Sequence, residues 1–275
     1  MSGANRRALP GFSLSLGYTV FYLSVLVLIP LAACFGKAAT LTAGQFWGAV
    51  WTERARAAYV LTFGTSFIAA VVNTVLGLLL AWVLVRYEFP FKSFFDSLVD
   101  LPLALPTAVA GLVYSSLYVE NGWLGQFLVP LGIEAAYSRL AIVLVLTFVG
   151  LPFIVRTVQP VLESLDAETE EAAESLGATR WVTFRRVLLP ALYPALITGF
   201  ALAFARGLGE YGSVVFVSGN MPLKTEIAPV LIVSRLEEFA YAEATAIAVV
   251  LLVFSFLLLA VINVLERWSK RHDAC

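Results

Sequence analysis

The fold class follows from one apolar stretch near the C-terminus, Ala244-Thr-Ala-Ile-Ala-Val-Val-Leu-Leu-Val-Phe-Ser-Phe-Leu-Leu-Leu-Ala-Val-Ile-Asn-Val-Leu265. It contains three polar residues and no charged one. A run of about 20 such residues is long enough to cross a bilayer as an α-helix, and a backbone in hydrocarbon must satisfy its own hydrogen bonds. The sequence therefore predicts an all-α, polytopic membrane protein with six transmembrane helices, at 14–35, 59–85, 94–119, 140–159, 191–217 and 244–265.

The composition supports this fold class and excludes several functions. The 275 residues are 60% hydrophobic and 13% charged, whereas a soluble domain is roughly 25% charged. Eighteen Lys and Arg against nineteen Asp and Glu give a net charge of -1, so the basic excess that nucleic-acid binding requires is missing. Cys34, Cys275 and His272 are too few for a Cys/His metal site. Neither a metal nor another cofactor is expected.

Lysine and arginine residues near the span ends predict the orientation, because cytoplasmic loops carry an excess of positive charge. With both termini in the cytoplasm, the inner side carries Arg6, Arg7, Arg86, Lys92, Arg156, Arg180, Arg185, Arg186, Arg267, Lys270 and Arg271. The outer side then carries Lys37, Arg54, Arg56, Arg139, Lys224 and Arg235. This bias favours cytoplasmic termini.

The inner segment 160–190 contains an acidic stretch, Leu165-Asp-Ala-Glu-Thr-Glu-Glu-Ala-Ala-Glu-Ser-Leu-Gly177. Its aspartate suits an N-cap, its first glutamates suit the positive end of a helix, and its glycine supplies a stop. The pattern predicts a short cytoplasmic helix. Ala172, Ala173 and Leu176 share one face, on which small side chains let another protein approach closely. From composition alone, an ordinary solvated helix remains an open alternative.

The same segment resembles the EAA loop of ABC importer permeases. The matching residues are Glu171-Ala172-Ala173, then Gly177, then Val187-x-Leu189-Pro190, with Val187 in place of the commoner Ile. In that family the helix seats in a groove of the cytoplasmic ATPase and transmits its closure to the spans. The resemblance assigns this coupling role to Glu171, Ala172, Ala173 and Gly177. It also implies a MetI-like ABC importer permease fold, with residues 1–275 as a single domain in the bacterial inner membrane.

Three longer stretches narrow the resemblance: Asp100-Leu-Pro-Leu-Ala-Leu-Pro-Thr-Ala-Val-Ala-Gly111, Leu151-Pro-Phe-Ile-Val-Arg-Thr-Val-Gln-Pro160 and Phe204-Ala-Arg-Gly-Leu-Gly-Glu-Tyr-Gly-Ser-Val-Val-Phe-Val-Ser-Gly-Asn220. Together they resemble the T-type permease subunit of the sulfate/thiosulfate ABC importer. That family pairs it with a W-type permease, two ATPase subunits and an extracytoplasmic sulfate- or thiosulfate-binding protein. Molybdate and tungstate permeases share the Gly-Glu-aromatic-Gly element, so these anions remain an alternative.

The fifth predicted span carries the charges that point to a translocation pathway. Arg206 and Glu210 lie four residues apart on one helical face, and each is costly against lipid. They should therefore face a cavity or each other. We predict that Arg206, Glu210, Tyr211 and Ser213 contribute to an anion pathway, with Arg206 supplying positive potential. A buried pair that only fixes the bundle is the alternative.

Other residues carry weaker expectations. Pro102 and Pro106 free backbone carbonyls and predict a kink in the third span, which would either assist a gate or be static. Arg156 is predicted to reach the headgroups from the inner mouth. Asn73 and Asn263 are predicted to form interhelical hydrogen bonds.

Other function classes fit the sequence less well. An ion-coupled secondary anion transporter would show inverted repeats or ionisable groups in several spans, whereas here the charge concentrates at Arg206 and Glu210. An enzyme is disfavoured because Glu170, Glu171 and Glu174 lie on a predicted exposed helix, where acidic residues are ordinarily solvated. The chain also lacks a Gly-x-x-x-x-Gly-Lys phosphate loop. It therefore cannot energise transport by itself, and transport must be passive, ion-coupled or driven by a partner. The resemblance implies ATP hydrolysis in partner ATPase chains.

Overall fold

The structure, a computed structural model, describes residues 12–272, and its described side chains end at Val264. Arg6, Arg7 and Cys275, which entered the predictions of orientation and metal binding, lie outside the described residues. The helical bundle has an inner and an outer end. The inner end, predicted to face the cytoplasm, holds residues 86–92 and 164–180. The outer end holds residues 38–53, 119–139 and 209–241.

Every regular element of the described part is helical, which confirms the predicted all-α class. The first half contains α1 (Phe12–Leu23), a π-helical turn (Ser24–Leu28), α2 (Ile29–Ala38), α3 (Ala43–Val50), α4 (Glu53–Arg86), α5 (Lys92–Val99), α6 (Leu101–Ala104) and α7 (Thr107–Tyr118). The second half contains α8 (Gly125–Leu128), a 3₁₀ turn (Val129–Leu131), α9 (Arg139–Ser164), α10 (Ala167–Ser175), α11 (Arg180–Thr183), a π-helical turn (Phe184–Leu188), α12 (Leu189–Leu208), α13 (Val214–Val217), α14 (Ala228–Glu237) and α15 (Tyr241–His272).

Five continuous helical stretches within the described residues are long and apolar enough to cross a membrane. They are Leu14–Ala38, Glu53–Arg86, Arg139–Ser164, Arg180–Leu208 and Tyr241–Val264. They overlap the first, second, fourth, fifth and sixth predicted spans. The fifth prediction, 191–217, is too long at its outer end, because the helix stops at Leu208 and residues 209–213 form a loop before α13.

The third predicted span, 94–119, is not one kinked helix but three short ones, α5, α6 and α7. Pro102 lies in the first turn of α6, where a missing N–H breaks no helical hydrogen bond. Leu105 is extended (φ -78°, ψ 134°) and Pro106 follows it, as expected because proline disfavours helical geometry in the residue before it. A break therefore separates α6 from α7 where the sequence predicted a kink.

The core lies between α4, α9 and α12, which pack against one another. Its buried side chains include Ile154, Val158, Leu162, Leu192 and Phe204. The first span, in contrast, takes almost no part in this core, since Ala38 is the one buried residue in Leu14–Ala38.

Buried polar residues do not all find the partners that the sequence predicted. Asn73 is 1% exposed, and neither polar atom of its side chain has a hydrogen-bond partner among the described residues. Asn263 is exposed. The prediction of an interhelical hydrogen bond is therefore wrong for Asn73. The exposed position of Asn263 gives no support to the same prediction for that residue.

Candidate functional site: an acidic inner helix and a buried ion pair at the outer end

The acidic stretch forms the short helix α10 at the inner end. Asp166 occupies the N-cap position with an extended backbone, although its side chain makes no capping hydrogen bond. The helix is closed by Gly177, whose φ of 82° is in the left-handed region that glycine adopts without steric cost. The Gly177 N–H donates to the carbonyl of Glu174 (2.8 Å), and the Ala178 N–H donates to that of Ala173 (3.0 Å).

The predicted contact face of α10 is accessible. Glu171 and Ala172 are exposed and Ala173 is half-buried. Leu176 is 89% exposed, and Trp181, which follows in α11, is 67% exposed. An apolar surface of this kind at the end of a helical bundle is available to another protein.

One glutamate of α10 is not solvated as predicted. Glu170 forms an ion pair with Arg86, the last residue of α4, and both side chains are largely buried. The Arg86 guanidinium lies 5.7 Å from the ring centroid of Trp82, and Trp82 packs edge-on against Phe184 at 5.5 Å. Helix α10 is thus attached to α4 and, through the aromatic pair, to the π-helical turn before α12.

At the outer end, Arg206 and Glu210 form an ion pair. The Glu210 side chain is 1% exposed, whereas that of Arg206 is 32% exposed. The other Glu210 oxygen accepts hydrogen bonds from the backbone N–H (2.9 Å) and the hydroxyl (2.8 Å) of Ser213. Both carboxylate oxygens therefore have partners, as a charge in a low-dielectric interior requires. Tyr211 lies outside this network, with a side chain that is 36% exposed.

The loop that carries Glu210 and Ser213 packs against the start of α7. A Cβ atom on Gly111 would overlap the carbonyl oxygen of Ser213, so only glycine permits this approach. The Ser115 hydroxyl donates to the carbonyl of Phe216 (2.7 Å) and ties α7 to α13. Pro106 directly precedes α7, the helix that contacts this loop, whereas Pro102 is buried in α6.

A second polar cluster, which the sequence did not predict, surrounds Arg156. Its guanidinium donates two hydrogen bonds to the Asp100 carboxylate (2.9 and 2.7 Å) and one to that of Asp96 (2.8 Å). It also donates to the side-chain oxygen of Gln159 (2.8 Å). The prediction that Arg156 reaches for headgroups is wrong, because its charge joins α5 and α6 to α9. Among the residues that the structure describes, no three His, Cys, Asp or Glu side chains converge as metal ligands would.

Sequence comparison defines the class of protein to which this bundle belongs. Residues 73–272 match the family described as binding-protein-dependent transport system inner membrane component. The match covers more than half of the chain, so the chain belongs to this family. It is a multi-pass inner membrane permease component of an ABC transporter.

Individual relatives narrow the class further. The chain is 48% identical to the sulfate transport system permease protein CysT of Escherichia coli (strain K12), over 98% of this chain and 97% of the relative. It is 49% identical to the CysT protein of Synechococcus elongatus, over 93% and 92% of the two chains. A solved bacterial ABC transporter involved in alginate import superposes with a TM-score of 0.77 at 17% identity, covering 93% and 94%. That likeness concerns the fold alone.

Proposed function

We propose that this chain is the T-type permease subunit of an ABC importer that carries sulfate, and also thiosulfate, into the cytoplasm. The observation that carries the proposal is the 48% identity to a sulfate permease along 98% of the chain. The chain performs no covalent chemistry in this proposal. The energy comes from ATP hydrolysis in two ATPase subunits that bind at the inner end.

The proposed complex also contains a related W-type permease and an extracytoplasmic sulfate- or thiosulfate-binding protein. The family description, which names binding-protein-dependent transport, supports the binding protein. The first span supports a second permease subunit, because that helix buries almost none of its apolar surface within its own chain. Residues 1–275 then act as one permease domain with both termini cytoplasmic, which requires α5–α7 to serve as the sixth crossing.

Coupling to ATP hydrolysis is assigned to α10 and the residues that close it. Glu171, Ala172 and Ala173 lie on the accessible helix, and Gly177 ends it with a left-handed turn. A displacement of α10 by the ATPase would reach α4 through the Glu170–Arg86 ion pair. Residues 160–190 are the coupling segment.

The translocation pathway is assigned to the outer loop after α12. In this proposal Arg206 supplies positive potential for a dianion, while Glu210, Tyr211 and Ser213 shape the loop around it. The one-third exposure of the Arg206 side chain supports this role, because its charge is not enclosed by Glu210. Pro102 and Pro106 flank a break in the helix beside this loop and are assigned to gating.

The test is uptake of labelled sulfate by cells in which this gene is deleted and then restored, with unlabelled thiosulfate and molybdate as competitors. Uptake should vanish on deletion, return with the gene, fall with thiosulfate and resist molybdate. If sulfate uptake survives while molybdate accumulation falls, the chain is a molybdate or tungstate permease. Uptake that follows an ion gradient and persists without ATP would identify an ion-coupled secondary transporter.

A further inference from the structure

Four cations at the outer end form no ion pair among the described residues, and three of them lie together. Of the six cations that the sequence places outside, Arg54 binds Glu226 through two hydrogen bonds (2.7 and 2.6 Å). Arg235 binds Glu238 at 2.7 Å. Three of the others line a single cavity of about 830 Å³ between the outer ends of α4 and α9: Arg56, Arg139 and Lys224.

None of the three cations in this cavity has a carboxylate within ion-pair distance among the described residues. Arg139 donates through Nε to the backbone carbonyl of Lys224 (3.0 Å), and the Arg56 guanidinium lies over the Trp51 ring at 6.0 Å. Two acids line the same cavity. Arg54 neutralises Glu226, and Glu53 is exposed to solvent. The outer rim of the cavity, formed by Arg56, Arg139 and Lys224, therefore keeps an excess of positive charge.

Below this rim the cavity is an apolar groove. Its wall on α4 includes Val60, Leu61, Gly64 and Ile68, and Val143 on α9 lines it as well. Nothing lies within 4 Å of the position that a Cβ atom on Gly64 would take, so this glycine leaves the groove open.

The length of the groove matches one leaflet of a bilayer. From residue 57 to residue 68, both on its α4 wall, a rise of about 1.5 Å per residue gives about 16 Å. This is half of the roughly 30 Å hydrocarbon core. Trp51 lies against the Arg56 guanidinium and Trp47 packs against Trp51. Both rings are more than half exposed, which suits the headgroup level.

We propose that this cavity binds an anionic phospholipid of the outer leaflet, with the phosphate at Arg56, Arg139 and Lys224 and one acyl chain along Gly64. A basic rim above an apolar groove between membrane helices is complementary to such a lipid. The transported anion is not the occupant, because the groove offers a dianion few polar groups in place of water. The site is separate from the Arg206 loop and does not depend on which anion is carried.

The experiment measures lipid binding to the complete importer, purified in detergent, by native mass spectrometry. Phosphatidylglycerol and phosphatidylcholine with the same acyl chains are the probes. We expect phosphatidylglycerol to bind on the order of a hundredfold more tightly, because each of the three basic residues strengthens the binding of an anionic lipid roughly fivefold. The preference should disappear in the triple variant R56Q/R139Q/K224Q. The variant Gly64→Leu, which fills the groove, should weaken binding of both lipids.

Lys37→Gln is the matched control, because Lys37 is an exposed outer cation outside the cavity and its loss should leave the preference intact. Equal binding of the two lipids, or a preference that survives in the triple variant, would overturn the proposal. It would also be overturned if millimolar sulfate or glycerol phosphate displaced phosphatidylglycerol, since the site would then take a free oxyanion. Melting temperatures of the variants in detergent identify any that have lost their fold, and single substitutions then replace the triple variant.

Discussion

Substitution of Arg206 by Gln is the perturbation that separates a pathway role from a structural one. In the native chain Glu210 is 1% exposed and is held by Arg206 and Ser213. Removing one partner of a buried ion pair typically costs about 3–5 kcal/mol, because a charge remains buried without compensation. Ser213 still satisfies one oxygen and Arg206 is itself one-third exposed. We therefore expect a loss of about 2–3 kcal/mol in the free energy of unfolding.

The reverse substitution, Glu210→Gln, should cost less. Glutamine keeps an acceptor for Ser213, and the Arg206 charge that remains can reach solvent through its exposed part. We expect a loss of about 1 kcal/mol, the ordinary value of one hydrogen bond. The double variant R206Q/E210Q buries no charge and should recover most of the stability that R206Q loses.

The assay combines denaturant unfolding in detergent with sulfate uptake normalised to the amount of protein in the membrane. A pathway role for Arg206 predicts that the double variant regains stability without regaining uptake. If uptake returns together with stability, Arg206 only fixes the bundle and the pathway assignment fails. If R206Q is no less stable than E210Q, the reasoning from the burial of Glu210 is refuted.

Three further predictions concern the inner end and the broken helix. Arg86→Glu should lower the amount of sulfate carried per ATP hydrolysed several-fold, and adding Glu170→Arg should restore it. Glu174→Gln is the control. A charge swap that restores nothing would contradict the role of the Arg86–Glu170 ion pair in coupling. Gly177→Val should cost about 1–2 kcal/mol locally and reduce co-purification of the ATPase, so unchanged co-purification would argue against contact at this turn. Arg156→Lys keeps the charge but loses the two-pronged bond to a carboxylate; it should lower the free energy of unfolding by about 1–2 kcal/mol, and an unchanged value would mean that this cluster does not hold the broken helix.

The sequence predicts what depends on local composition. Continuous apolar runs located five helices that can cross a membrane, and the cap and stop residues located α10 between Asp166 and Gly177. The spacing of Arg206 and Glu210, four residues apart, indicated a pair. The two residues do pair, although α12 ends at Leu208 and Glu210 lies in the loop that follows rather than on the same helix. In each case the interacting residues are close in the chain.

What the sequence misses depends on contacts between distant segments. Arg86 and Glu170 are 84 residues apart, and Arg156 lies 60 residues from Asp96, so no periodicity brings them together. Hydropathy also overlooks the break in the third span, because the extended backbone of Leu105 leaves the stretch as apolar as a continuous helix would be.

The π-helical turn at Phe184–Leu188 sets the angular phase of the whole Arg180–Leu208 helix. In an uninterrupted α-helix, at about 100° per residue, Trp181 and Arg206 would lie within about 20° of each other around the axis. A π-helical turn absorbs one extra residue, so everything beyond it lags by about 100°. The direction in which Arg206 points, relative to Trp181 at the inner end, therefore depends on the absorption of one extra residue in the turn Phe184–Leu188. Deleting a single residue there would turn the π-helical turn into ordinary α-helix and leave the outer end in the same orientation, whereas deleting a residue from an α-helical turn of the same helix would rotate the outer end by about 100°.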